Sequence, residues 1–375
     1  MDKLGFGMMR LPHTDKKDTG SLNVPEVCKL ADTFLEKGFT YFDTAWMYCN
    51  SKSEACVGEA VIKRHDRSSF TITDKLPDYP LKSEEDRDAV FFEQLKRTGA
   101  EYFDYYLLHA IDDKNIETFE KFHCFEWLFE KKKLGLVRHC AFSFHGTPEL
   151  LEKLVLKYPE IEYIQLQINY LDWEDPKIQS RACYEVCEKY DKQVIVMEPV
   201  KGGKLAKIPA PAVEILHKVR PDLSPAAWAI SFAAGLKNVF MVLSGMSTWE
   251  QVVENCDTMR SLKPLTAEEI KALDKVVSII HEYTHISCTA CAYCMAKCPL
   301  GIQIPGLFAV YNEDKMEGTF SGKEAHIKQY LELCEKSDPT QCLKCGACED
   351  ICPQHLPVRA FIDTVTEHFK ERMDS

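Results

Sequence analysis

An α/β fold is what the sequence predicts: an eight-stranded barrel followed by a smaller, mainly helical unit. Three observations carry that expectation. Short β-rich runs alternate with helical patterns eight times over the first ~260 residues, which is the arithmetic of a (β/α)8 or TIM barrel. The chain's 375 residues exceed one barrel by enough for a second unit. Composition then changes from Ser287 onward, where cysteine becomes dense. A doubly wound open sheet shows the same alternation, so periodicity alone leaves both arrangements open. The expected division is a barrel over residues 1–281 and a cysteine-rich domain over 282–375.

The first strand is a short run at 4–8. The others are expected at 39–42, 70–73, 102–108, 138–142, 163–167, 193–197 and 239–243, each rich in aromatic or β-branched residues. Between them, apolar residues recur at helical spacing over 24–37, 84–98, 118–133, 147–158, 179–190 and 225–235. A further helical pattern at 267–281 leads out of the alternating region, and helical stretches follow at 304–311 and 323–334.

Composition excludes several roles. Apolar residues make up 45% and charged residues 28%, ordinary values for a globular chain. A net charge of −12 repels nucleic-acid phosphates and anionic lipid, and no basic patch offsets it. Neither nucleic acid nor a membrane is therefore an expected partner. The start, Met1-Asp2-Lys3-Leu4, does not read as a signal peptide, and no apolar run approaches a membrane span. A cytoplasmic location is expected, where the 17 cysteines serve as metal ligands or core residues in preference to disulfides.

Eight of those cysteines form a repeated motif. Cys288-x2-Cys291-x2-Cys294-x3-Cys298-Pro299 recurs with identical spacing as Cys342-x2-Cys345-x2-Cys348-x3-Cys352-Pro353. Three thiolates at three-residue steps hold three corners of a [4Fe–4S] cube, and the fourth, before proline, ordinarily reaches the other cube. The expected groups are Cys288, Cys291, Cys294 and Cys352 on one cluster, with Cys342, Cys345, Cys348 and Cys298 on the other. Paired structural zinc sites are the alternative, but zinc does not need the third and fourth cysteines at this pitch. The motif resembles bacterial two-cluster ferredoxin modules, and the long insert at 299–341 points to the helical variety found inside larger redox enzymes. The remaining cysteines, including Cys28, Cys49, Cys140, Cys183 and Cys187, lack ligand spacing and are expected to pack as small apolar side chains.

In the barrel, four polar residues fall at or just beyond carboxyl ends of strands, where barrel enzymes keep their chemistry. Asp43 and Tyr48 follow the second strand, Lys75 ends the third and His109 ends the fourth. Singly, each has an ordinary reading as a cap, a packing group or a satisfied core residue. Lys75 is harder to place that way, because an ammonium ending an apolar strand requires a partner, and Asp43 is the evident one. Together they form a set able to move a proton.

Asp43-x4-Tyr48, followed by Ser53-Glu54 and Gly58 and joined by Lys75 and His109, resembles the aldo-keto reductase family from Gly5-Phe6-Gly7-Met8 to Glu254-Asn255. The resemblance implies an oxidoreductase in which Tyr48 is the general acid toward a small carbonyl-like substrate. Lys75 would lower the Tyr48 pKa, Asp43 would hold Lys75, and His109 would orient the carbonyl. It also implies that Ser143, Gln165, Gly203, Leu205, Gly245, Ser247, Gln251, Glu254 and Asn255 lie where the family holds NAD(P)H. Phe144 and Met197 replace an asparagine and an aromatic residue common there. Gly245 and Gln251 stand where NADP-preferring members often carry cations, so a preference for NADP is not implied.

A nicotinamide transfers a hydride whereas an iron–sulfur cube passes single electrons, so joining the halves calls for a flavin or a similar converter. The first reading is a carbonyl reductase with two [4Fe–4S] clusters for electron transfer and a partner protein for those electrons. The second is a flavin- or cluster-driven reductase that does not use nicotinamide. The third is a non-catalytic redox sensor or electron-transfer subunit.

Overall fold

Eight parallel strands close into a barrel in sequence order, which settles the choice against an open sheet. The computed structural model describes residues 3–15, 18, 20–317 and 323–374. In chain order the elements are β1 (Leu4–Gly7), α1 (Val24–Glu36), β2 (Tyr41–Asp43), β3 (Thr71–Leu76), α2 (Glu85–Thr98), β4 (Phe103–Ile111), α3 (Ile116–Lys121), α4 (Cys124–Lys133), β5 (Val137–Phe144), α5 (Pro148–Lys157), β6 (Tyr163–Gln167), α6 (Ser180–Lys189), β7 (Gln193–Met197), α7 (Ala210–Val219), α8 (Pro225–Ala234), β8 (Val239–Ser244) and α9 (Trp249–Arg260). After these come α10 (Ala267–Tyr283), α11 (Ile304–Glu317), α12 (Lys323–Lys336) and α13 (Val358–Asp374). The chain forms two compact units, Met1–Val200 with Ala226–Leu265, and Lys201–Pro225 with Thr266–Ser375.

In the first unit, strand alternation builds layers inside the barrel. Tyr41, Tyr105, Tyr163 and Phe240 form an aromatic floor, with ring centroids 5.2 Å apart for Tyr41–Tyr105, 5.0 Å for Tyr105–Tyr163 and 4.8 Å for Tyr163–Phe240. Gly5 completes this floor, since a Cβ there would stand 2.6 Å from a Leu243 methyl. Two residues further along the same strands stand polar groups: Asp43 after Tyr41, Ser143 after Ala141 and Gln165 after Tyr163. Outside the barrel, Phe6, Phe34, Phe42, Phe91, Phe125 and Phe142 lie in the larger apolar core between strands and helices.

The strands end later than the sequence pattern implies. β3 continues through Asp74 and Lys75 to Leu76, and β4 continues through His109 to Ile111. Polar residues read as strand ends in a sequence, but here tertiary partners absorb them. The helix expected over 118–133 is two helices, broken at His123 with φ 46°. The Arg87 guanidinium donates to the carbonyls of Phe122 and His123 at that break, satisfying acceptors that a continuous helix would have used.

In the second unit, α10 starts with a capping box of Thr266 and Glu269, and Arg220 after α7 pairs with Glu269 at 3.2 Å. Phe308, Tyr330, Ile362, Val365 and Phe369 centre a separate apolar core into which Cys294 and Cys348 are packed. Among the described residues, no helix is long and apolar enough to cross a membrane.

Candidate active site

The four barrel residues meet at the carboxyl ends of β2, β3 and β4. Lys75 is fully buried, and its ammonium has three donors, all of which are used. Nζ lies 2.6 Å from Asp43 Oδ1, 2.7 Å from the Thr44 carbonyl and 3.3 Å from the Tyr48 hydroxyl. Because Lys75 donates to the phenol oxygen, the phenolic hydrogen is left to point elsewhere. Asp43 Oδ2 accepts from Gln165 Nε2 at 3.3 Å, so both carboxylate oxygens are held. The Tyr48 and His109 rings stand edge to face with centroids 6.1 Å apart, placing a phenol and an imidazole on one small space.

Burial governs the electrostatics of these groups. Burial pushes the Tyr48 hydroxyl well above its ordinary pKa, and the carboxylates of Asp43, Asp74 and Glu198 push the same way. The phenol is therefore a proton held in store through the whole neutral range. Burial likewise raises Asp43 despite Lys75. His109 is driven well below its ordinary value by burial and then by the Lys75 and His145 charges, which keeps its ring neutral.

Tyr48 stands at the start of an unusual turn. Cys49, Asn50 and Ser51 all adopt left-handed φ, at 52°, 52° and 60°. The Cys49 thiol donates to the Met9 carbonyl at 3.4 Å, and burial pushes its pKa up to about 11, as befits a packing group. Ser53 Oγ donates to the Met8 carbonyl at 2.8 Å and lies 2.8 Å from Thr44 Oγ1, tying the turn to β1 and β2.

Behind Lys75 lies a network with little sequence signal. Gln94 Nε2 reaches Glu54 Oε1 at 3.0 Å, Asp74 Oδ1 at 2.9 Å and the Lys75 carbonyl at 2.9 Å, while Tyr106 donates its hydroxyl to Gln94 Oε1. Arg97 balances Glu54 at 2.9 Å. Among the described residues, Asp74 Oδ2 is buried without a hydrogen-bond partner. Burial and then the Glu54 charge push the Asp74 pKa well above the ordinary carboxylate range. Ser53-Glu54 stood out in the sequence, but nothing marked Gln94 or the Thr44 carbonyl.

Of the residues expected to hold a dinucleotide, Ser143 and Gln165 pair in register on β5 and β6. Ser143 Oγ accepts from the Ala110 amide at 2.6 Å. Gly245, Ser247, Gln251 and Asn255 gather where β8 leads into α9. The Ser247 amide donates to Gln251 Oε1 at 2.7 Å, Ser247 Oγ donates to the Arg10 carbonyl at 2.6 Å, and Asn255 Nδ2 donates to Ser244 Oγ at 3.1 Å. A Cβ at Gly245 would lie 3.1 Å from the Arg10 stem, which accounts for glycine there. Glu254 is exposed on α9. Gly203, with φ 94°, and buried Leu205 belong to the second unit.

The repeated cysteine motifs fold alike. Ala290 and Lys344, Ala292 and Gly346, and Gly301 and His355 are equivalent positions, and all six are left-handed. Cys298, Cys342, Cys345 and Cys348 line one cavity of about 340 Å³, which mixes the fourth cysteine of one copy with the first three of the other. The Cys294 thiol is raised by burial and then by its neighbours Cys291, Cys288, Cys352 and Cys348. Among the described residues no group of three or more His, Cys, Asp or Glu side chains is placed to hold a single metal ion.

A model of the aldo/keto reductase family matches residues 3–278, and a model of the 4Fe-4S dicluster domain matches residues 287–356. The chain is 26% identical over 303 residues to an uncharacterized oxidoreductase, YqkF, of Bacillus subtilis, covering 73% of this chain and 92% of that protein. It is 27% identical over 251 residues to an aldo-keto reductase of Mycobacterium avium, covering 66% and 81%. Among solved structures, the holo form of the aldo-keto reductase AKR11C1 from Bacillus halodurans aligns with TM-score 0.58 and 25% identity over 73% of this chain and 91% of that one. An aldo-keto reductase from Klebsiella pneumoniae in complex with NADPH shares the fold, with TM-score 0.58 and 16% identity over 73% and 90%.

Proposed function

The chain belongs to the aldo/keto reductase family and carries a 4Fe-4S dicluster domain, and we propose that its barrel reduces a small carbonyl-like substrate with Tyr48 as the general acid. The observation that carries this reading is the Lys75 ammonium, whose three donors end on Asp43, Thr44 and the Tyr48 oxygen. That arrangement fixes the phenol while leaving its hydrogen to the substrate. A carbonyl oxygen seated between Tyr48 and neutral His109 would accept hydrogen bonds from both. As the carbonyl carbon gains a hydride, its oxygen becomes an alkoxide basic enough to take even a strongly held phenolic proton.

The hydride donor we assign is a nicotinamide dinucleotide, which supplies the electron pair when bound. Ser143 and Gln165 beside the acid would hold its ring end. Gly245, Ser247, Gln251, Glu254 and Asn255 would hold its phosphate and adenine end, near the first turn of α9, where backbone N–H groups favour anions. The NADPH complex of the relative from Klebsiella pneumoniae supports nicotinamide over flavin. The matched ranges support a functional division near residue 281, with the cysteines after it holding two [4Fe–4S] clusters that exchange single electrons with a carrier.

Isotope transfer tests the barrel reading. With NADPH or NADH carrying deuterium at nicotinamide C4 and a panel of small aldehydes, deuterium should appear on the alcohol carbon. Reduction with solvent hydrogen at that carbon would overturn direct hydride transfer.

A further inference from the structure

The two cysteine motifs repeat in backbone but not in what surrounds them. Counting from the first cysteine, Thr289 and Leu343 are equivalent; counting from the proline, Leu300 and Gln354 are equivalent. Because the fourth cysteines cross over, Thr289 and Gln354 flank one group of thiols while Leu343 and Leu300 flank the other. Thr289 is 2% exposed and Gln354 5%, with Gln354 Oε1 accepting from Lys201 Nζ at 3.1 Å within the same unit. Leu343 is 63% exposed and Leu300 37%, and both line the 340 Å³ cavity of the second group. Cys345, which lines the same cavity, is the one exposed cysteine among the described residues.

Single exposed leucines are ordinary on a protein surface, but these two line the same ligand cavity. Each sits where the sister copy places a buried polar residue, so the difference is not imposed by the motif. Nearby charges are matched: Lys344 pairs with Asp363, and Arg359 pairs with Glu349 at 2.7 Å. The patch is therefore apolar with a balanced rim, suited to brief, weakly salt-dependent contact.

We propose that Leu300 and Leu343 form the docking surface for a one-electron carrier protein, and that electrons pass between this chain and the carrier through the Cys298/Cys342/Cys345/Cys348 group. The occupant is a redox protein because what lies beneath the patch is a redox group, which exchanges electrons only at close approach. One electron leaves the reduced carrier for the oxidised cluster, leaving the carrier oxidised by one. This rests on the two-cluster reading of the domain.

The test uses anaerobic holoprotein and the double variant Leu300→Glu/Leu343→Glu. A dithionite-reduced two-[4Fe–4S] ferredoxin serves as the protein donor, and reduced methyl viologen as the small donor. Iron and sulfide content, and bleaching by methyl viologen, are expected to match the unaltered chain. Bleaching by the ferredoxin should slow about tenfold or more, as loss of apolar anchors at a small interface does. Sedimentation of the two proteins together should show weaker association. Equal bleaching rates with the ferredoxin would overturn the proposal. So would a change in self-association alone, which would make the patch an interface between copies of this chain. Lack of iron in the unaltered protein would instead defeat the two-cluster reading. If the double variant loses iron, Leu343→Gln alone, at the more exposed position, carries the same comparison.

Discussion

Replacing Lys75 by methionine removes the group on which the candidate site is built. Lys75 is wholly buried, and Asp43 faces it at 2.6 Å with 3% of its side chain exposed. Removing one partner of a buried ion pair leaves the other without compensation, a loss of about 3–5 kcal/mol. The Thr44 carbonyl also loses its donor. Asp43 limits the damage by taking up a proton, so the loss depends on pH with a definite sign. Without Lys75 the folded Asp43 pKa rises further above its unfolded value. The variant's penalty is then largest above its raised folded Asp43 pKa, shrinks as pH falls from there toward about 4, and levels off below about 4, where the carboxyl is protonated in both states. Converting Asp43 to leucine as well should recover most of the loss, since a buried pair replaced as a whole costs little. All five tryptophans, Trp46, Trp127, Trp173, Trp228 and Trp249, lie in the barrel unit, so tryptophan fluorescence during urea unfolding reads that unit alone. A Lys75→Met penalty under ~1 kcal/mol at pH 7, or one that grows as pH falls, would refute the reasoning.

Gln94→Leu leaves Glu54, Asp74 and the Lys75 carbonyl without their shared donor, and about 3 kcal/mol or more should disappear in the same assay. Asp74→Asn tests the raised Asp74 pKa: a stability change of less than ~1 kcal/mol is expected of a carboxyl that holds its proton, and a large loss would show it ionised. For His109, whose ring is neutral well below its ordinary value, the pH–rate profile should show no limb near pH 6.5 that Gln substitution removes. Cys352→Ala should deplete the cluster of the first motif, with roughly four irons lost per chain while Cys342, Cys345 and Cys348 keep theirs; electron paramagnetic resonance of the reduced protein distinguishes this from loss of the second cluster.

Much of this was legible in the sequence because it is periodic or evenly spaced. Strands β6 and β7 lie where their β-rich runs placed them, and the evenly spaced cysteine motif marked the region that the 4Fe-4S dicluster model matches. Strand ends were not legible, since Asp74, Lys75 and His109 look like termini until tertiary partners bury them. The break at His123 depends on Arg87, some thirty-six residues away in sequence. Tyr48, Lys75, Asp43 and His109 could be named from their positions, but not their electrostatics: the direction of the Tyr48 shift follows from burial and from carboxylates on other elements. Gln94 was hidden altogether, since one glutamine on a helix carries no pattern. The contrast between Leu343 and Thr289 needed exposure to give it meaning.

The most direct test compares the unaltered chain with Tyr48→Phe at equal iron content, following nicotinamide oxidation with a small aldehyde under anaerobic conditions. The account predicts a fall in kcat of roughly 10²–10⁴, little change in KM, and clusters that still bleach with dithionite. Turnover by the phenylalanine variant within about twofold of the unaltered protein would remove Tyr48 as the acid, and the proposed chemistry with it.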